Sequence, residues 1–174
     1  MREITRYGFT LALICVIAAG LLAGVNSLTR SKIAAQALAE EQMALKEVMP
    51  KAEKFAEVKS AQQVLYYKAL DGQDKLIGFV FKASGKGYSS VIETLVGIFL
   101  DDRISAVKVI SLNETPGLGM RVTENSFTGQ FSNRDALDLS GVQAISGATI
   151  SSRAVMDSIV KKTQEIRELT KNEK

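Results

Sequence analysis

Hydrophobic and polar positions divide the chain into an apolar stretch, a helical stretch, a strand-rich stretch and a closing amphipathic helix. From Tyr7 to Val25 nineteen residues run without a charge, YGFTLALICVIAAGLLAGV, interrupted only by Thr10 and the Tyr7 hydroxyl. A helix needs about 20 residues to cross a hydrocarbon core of roughly 30 Å. Residues 7–25 are therefore expected to form a transmembrane helix, with Cys15 inside it as a small apolar residue. The stretch is long for a cleaved signal peptide, and no clean A-x-A site follows it. Arg2 and Arg6 flank one end, Arg30 and Lys32 the other, so charge bias leaves the orientation undecided. Residues 26–49 lack Gly and Pro and are rich in Ala, Leu, Glu and Lys. The helix is expected to continue through them and to end at Pro50. Ile33, Ala37, Glu41 and Leu45 give it one mostly apolar face. That face suits packing on the following domain, a stalk, or a surface for a neighbouring protein of a complex, and the pattern does not choose.

From Gln63 the period changes to that of strands. Val64–Leu70, Leu76–Ala83, Ser90–Leu100 and Arg103–Leu112 read as strands. Asp71-Gly72-Gln73-Asp74 and Asp101-Asp102 mark turns, and Ser84-Gly85-Lys86-Gly87 a flexible corner. The connections are of hairpin length, so an antiparallel meander of about four strands is expected. Glu114 to Gly119 (ETPGLG) is a Pro-Gly turn with a second Gly. Thr123–Phe127 suggests a short helix, and Phe131 belongs to the core. Leu137–Ile145 leads into Ser146-Gly147-Ala148-Thr149-Ile150-Ser151-Ser152, and an amphipathic helix follows over Arg153–Leu169. Strands followed by helices on one face predict an α+β domain after the N-terminal helix. The segments expected are a terminus at 1–6, the membrane helix at 7–25, a helical stalk at 26–50 and one domain at 51–174. The tail from Lys171 to Lys174 is expected to fray.

Composition narrows the chemistry. The 174 residues contain no histidine, one cysteine and no tryptophan. Ser-His-Asp and Cys-His catalysis, His-ligated metals, disulfides and thiolate clusters are excluded within the chain. No catalytic residue and no metal site are expected; redox chemistry would need an organic cofactor. Net charge is +3, with the basic residues dispersed, which argues against nucleic acid. The Ser146–Ser152 run places four hydroxyl residues in seven positions before a helix. Ser or Thr there is an ordinary helix cap. It is also the composition of an anion site: small residues allow close approach, and a helix N-terminus offers open N–H groups, at residues 150–152 on this reading.

Gly85-Lys86-Gly87-Tyr88, Glu114-Thr115-Pro116-Gly117-Leu118-Gly119 and Ser146-Gly147-Ala148-Thr149 occur in this order in one known family. The chain resembles, over essentially its whole length, the FMN-binding subunits of membrane redox complexes. The likeness is greatest to the RnfG proteins (also RsxG) of Rnf-type complexes, with the NqrC proteins of sodium-pumping quinone reductases near cousins. The resemblance implies FMN attached through a phosphoester to Thr149 by a separate flavin transferase that draws on FAD. It implies further that Ser146, Gly147, Ala148, Ser151 and Ser152 surround the phosphate. Glu114, Thr115, Gly117, Leu118 and Gly119 would line the flavin and its ribityl chain, and Gly85, Gly87 and Tyr88 would form another wall. The chain would then be an electron carrier in a ferredoxin- and NAD-linked, ion-moving complex, not a stand-alone catalyst. It would work beside other membrane subunits in the cytoplasmic membrane of a bacterium or archaeon, with the flavin domain on the outer side. The family usually has Asp three residues before the motif Ser; this chain has Gln143. An NqrC-type role, or a non-redox assembly protein in which the Ser146 run merely caps a helix, are the alternatives.

Overall fold

The computed structural model describes the backbone of residues 2–60 and 63–171, and their side chains other than those of residues 2–5, 31, 34, 37 and 63. Of the tail expected to fray, residues 172–174 lie outside the described residues. Two compact units divide at Gln42 and Met43. The first is the greater part of one helix, α1 (Arg2–Val48). Within it Arg6–Arg30, 25 residues, is long and apolar enough to cross a membrane. At 1.5 Å per residue that stretch spans about 37 Å. Its large apolar side chains, from Tyr7 to Leu28, are exposed. The helix stops at Val48, two residues before Pro50, because the residue ahead of a proline is pushed out of the helical region.

The second unit carries a five-stranded sheet: β1 (Lys54–Ser60), β2 (Gln63–Leu70), β3 (Leu76–Lys86), β4 (Val91–Phe99) and β5 (Ile104–Ser111). The strands lie in sequence order, each antiparallel to the next. After the sheet come α2 (Asn125–Thr128), with a 3-10 turn on either side at Gly119–Thr123 and Gly129–Phe131, and α3 (Thr149–Leu169). The α+β expectation holds, with one strand more than the pattern suggested. That strand is β1, an edge strand whose half-buried residues Phe55 and Val58 are three apart. The alternation of two that marks a strand is missing there, and a bulge follows at Val58/Lys59.

Both faces of the sheet are covered. On one, Phe79, Phe81, Ile92, Val96 and Ile98 pack with Phe127, Phe131, Val155, Ile159 and Ile166. Phe127 and Phe131 meet edge to face at 5.2 Å. On the other, Tyr67, Ala69, Val80 and Leu95 pack with Ala44, Leu45, Val48, Met49 and Ala52. Phe79 and Phe81 thus face one layer and Val80 the other, as a period of two requires. The end of α1 is part of this unit's core, with Val48 and Met49 fully buried. Each such side chain stabilises the fold by about 1.5–3 kcal/mol.

The sequence placed a flexible corner at Ser84–Gly87. Instead β3 runs on through Lys86, with Ser84, Gly85 and Lys86 paired to Glu93, Ile92 and Val91. The turn comes at Gly87–Ser90, closed by the Gly87 amide donating to the Ser90 carbonyl at 2.8 Å. This longer strand brings the turn to the end of the sheet from which β5 leaves.

Candidate functional site

Three segments meet at that end of the sheet. The first is the Gly87–Ser90 turn. The second follows β5: the Asn113 amide donates to the Ser90 hydroxyl at 2.8 Å, and the Glu114 side chain turns back into the first segment. The Glu114 carboxylate is 5% exposed. Its Oε1 accepts from the amides of Ser89 and Ser90, both at 2.9 Å, and from the Ser90 hydroxyl at 3.3 Å. Its Oε2 accepts from the Tyr88 amide at 3.2 Å and from the Ser151 hydroxyl at 2.9 Å. Ser151 belongs to α3, the third segment. Burial pushes this carboxyl up, but the amides of Ser90 and Ser89, the Ser151 hydroxyl and the Tyr88 amide outweigh it and hold the group below its ordinary value.

The glycines of the first two segments serve this close packing. A Cβ at Gly87 would lie 2.6 Å from Glu114 Oε1, and one at Gly119 would lie 2.7 Å from Oε2. A Cβ at Gly85 would collide with the Ala154 carbonyl of α3. Gly117 has another task. The Leu118 amide donates to the Thr115 carbonyl at 3.2 Å, closing a turn with Pro116 and Gly117 at its centre. Gly117 has φ of 73°, the left-handed conformation that position requires after proline in a type II turn. The turn leaves Thr115 exposed, and its hydroxyl has no protein partner among the described residues.

The third segment turns before it becomes helix. The Ala148 amide donates to the Ile145 carbonyl at 2.9 Å, and Gly147 stands at φ of 80°. A Leu118 methyl lies 3.2 Å from where a Gly147 Cβ would be, so the second and third segments touch. The buried Ser152 hydroxyl locks the turn from below: it accepts from the Ile145 amide at 3.0 Å and donates to the Ala148 carbonyl at 2.9 Å.

The helix begins at Thr149, four residues ahead of the expected Arg153. The residue at its cap is Ala148, with no side-chain bond. An ordinary Ser or Thr cap is therefore not what the run provides. With no cap, the amides of Thr149, Ile150 and Ser151 have no intrahelical acceptor. The Ser152 amide, expected to be open, is not: it donates to the Ala148 carbonyl at 2.9 Å. Ser146 and Thr149 are exposed, and their hydroxyls have no protein partner among the described residues. Tyr88, Leu118, Met120 and Ile150, apolar residues of these segments, are exposed, Tyr88 at 72%.

The residues singled out from the sequence thus come together, in two layers. Glu114, Ser151 and Ser152 are buried and bonded within the protein, and Gly85, Gly87 and Gly119 are closed by it. Ser146, Thr149 and Thr115 are exposed with unengaged hydroxyls, and Tyr88 and Leu118 are exposed as well. Three open amides at the positive end of a 21-residue helix suit a phosphate. The donor set therefore fits the phosphate end of FMN. The organising part of Glu114, and of Ser89 and Ser90 beside it, was not legible: a lone acid in a turn has no pattern. Gln143 presents its backbone to the protein. Its amide donates to Gln130 Oε1 at 2.8 Å, its carbonyl accepts from Gln130 Nε2 at 3.4 Å, and the residue is exposed.

Comparison with known proteins agrees with this picture. Residues 87–163 match the FMN-binding domain family, and residues 1–48 match the RnfG N-terminal region. The G component of an ion-translocating oxidoreductase complex from Methanosarcina acetivorans is 35% identical, over 91% of this chain and 92% of its own. The G component of a proton-translocating ferredoxin:NAD(+) oxidoreductase complex from Clostridium ljungdahlii is 33% identical, over 92% and 90%. The crystal structure of NqrC from Shewanella oneidensis shares the fold, with a TM-score of 0.51 at 21% identity over 70% of this chain and 74% of that one. The chain belongs to the RnfG family, the G components of ion-translocating oxidoreductase complexes, and carries that family's FMN-binding domain.

Proposed function

We propose that the chain is the electron-carrying flavoprotein of an Rnf-type complex, holding FMN through a phosphoester on the Thr149 hydroxyl. The observation that carries this is the state of Thr149. It is the first residue of α3, it is exposed, its hydroxyl is unengaged, and an alanine precedes it at the cap. Transfer from FAD would join Thr149 Oγ1 to phosphorus and release AMP and the hydroxyl proton. A separate transferase would supply the base for that step, consistent with a chain that has no histidine.

The chain's own residues then have distinct tasks. The amides of Thr149, Ile150 and Ser151 donate to the phosphate oxygens and, with the helix dipole, offset their charge. Ser146 reaches the same oxygens from the turn. Gly147, in its left-handed conformation, keeps the approach free of a side chain. Leu118, Tyr88 and Ile150 shield an apolar ring from water, and the Thr115 hydroxyl donates at its edge. FMN supplies, when bound, the one-electron and two-electron chemistry that the side chains lack. Covalent attachment keeps the cofactor from diffusing away at a water-facing site.

The names of relatives support the larger setting. The Clostridium protein is named for proton translocation and ferredoxin:NAD(+) oxidoreduction, and an Acetobacterium woodii relative, 28% identical, for sodium. On this reading residues 7–25 anchor the chain in the cytoplasmic membrane. Residues 1–6 lie inside, and residues 26–50 lead to a flavin domain outside.

The test is production of the full chain with a flavin transferase, followed by denaturing gel electrophoresis. The wild-type band is expected to fluoresce under ultraviolet light, and the Thr149→Ala band to be dark. A fluorescent Thr149→Ala band would remove Thr149 as the attachment point.

A further inference from the structure

We infer that Glu114 is a positioning residue: a buried, ionised staple that holds the start of α3, and with it Thr149, in register with the Gly87–Ser90 turn. The inference rests on the reading that Thr149 carries the cofactor, and it gives Glu114 a different task from that of a flavin contact.

The geometry points away from a ligand role. Both carboxylate oxygens are engaged inside the protein, by three consecutive amides and the hydroxyls of Ser90 and Ser151. The side chain is 5% exposed. Among the described residues no lysine or arginine forms an ion pair with it. Its charge is met by dipoles alone, and a buried charge in that position is stable only while its donors stay in place. The demand runs both ways. The carboxylate fixes the donors, and the donors come from two elements 61 residues apart in sequence at Ser90 and Ser151. Ser151 is two residues from Thr149 on the first turn of α3. No side chain caps the helix at Ala148; Ser152 locks the start of α3 to its own turn, and the Ser151–Glu114 bond is what ties it to the Gly87–Ser90 turn.

A neutral isostere separates the two tasks. In Glu114→Gln one terminal oxygen becomes an NH2 group, which cannot accept from the Tyr88 amide and can keep the Ser151 hydroxyl only by donating to it, without the charge. In Ser151→Ala the charge and the turn contacts remain, and only the link to α3 is cut.

The experiment is amide hydrogen exchange on the full chain made without transferase, so that no flavin is present. Glu114→Gln is expected to speed exchange at least about tenfold at residues 88–90, whose amides donate to the carboxylate. Ser151→Ala is expected to do so at residues 152–154, the first bonded amides of α3, with little change at 88–90. No faster exchange at 152–154 in Ser151→Ala would overturn the inference. If Glu114→Gln does not fold, Ser151→Ala decides alone. In parallel, with transferase present, Ser151→Ala is expected to be labelled at least about tenfold more slowly than wild type, because small misplacement of a reacting group is costly. Ile104→Ala, a destabilised control at the far end of β5, is expected to be labelled at the wild-type rate. Labelling of Ser151→Ala at the wild-type rate would also overturn the inference. A wild-type chain that takes no label would sink the Thr149 reading, while the exchange result would still decide the staple.

Discussion

Thr149 and Gln143 lie on the same exposed approach to α3, yet the protein holds them differently. Thr149 offers its side chain, and its backbone begins the helix. Gln143 gives its backbone to the Gln130 side chain and keeps its own side chain at the surface. A change at 143 is therefore expected to leave the fold alone, within about 0.5 kcal/mol. The family resemblance places Asp there, in the stretch a transferase would read. Gln143→Asp is expected to be labelled faster than wild type with an unchanged unfolding midpoint; equal rates would show that this position is not read. Glu114 makes a different prediction, in acid. Its folded carboxyl titrates below the ordinary 4.5, as do those of Asp71 and Asp138 below theirs. Each such group adds stability that is fully present above its unfolded value and is lost as pH falls through the folded one. Glu114→Gln removes one of the three, so its stability is expected to fall less steeply than wild type as pH drops below about 4.5. Parallel curves measured by denaturant titration at several pH values would contradict that.

At the scale of elements, the sequence was legible where strands are buried and mute where they are exposed. Phe79, Val80 and Phe81 announce β3 as part of a continuous apolar run buried on both faces, and Asp71 to Asp74 announce the turn before it, where Asp71 accepts from the amides of Gln73 and Lys75. The edge strand β1 is mostly exposed, so its pattern was lost. Gly85 reads as a corner by propensity; it lies within a strand because only a residue without a side chain lets α3 approach. The start of α3 was misplaced for a related reason. No cap residue marks it, and the interactions that fix it come from Glu114 and Ile145. Of the apolar face read over residues 26–49, the structure answers for its end: Leu45, Val48 and Met49 are core, while Ile33 is exposed. Removing them should cost about 4.5–9 kcal/mol, an upper bound by area. A chain starting at residue 43 is expected to unfold cooperatively, and one starting at residue 51 to be far less stable or unfolded in the same thermal melt. Equal midpoints would show that the sheet does not need the helix end.

The whole molecule joins a helix suited to a membrane with a domain whose working end is built from three distant loops. The resemblance was readable because those loops carry rare combinations of Gly, Pro and hydroxyl residues in a fixed order. The two-layer construction of the site was not, because burial decides which hydroxyls face inward: Ser151 and Ser152 are inside, Ser146 and Thr149 outside. The outward hydroxyl of Thr149 is the point on which the proposed function turns. The most direct test of its role is the intact mass of the full chain after production with a flavin transferase. A gain of about 438 Da, the mass of FMN less water, is expected on the wild-type chain and not on Thr149→Ala. An unmodified wild-type mass, or the same gain on Thr149→Ala, would contradict it.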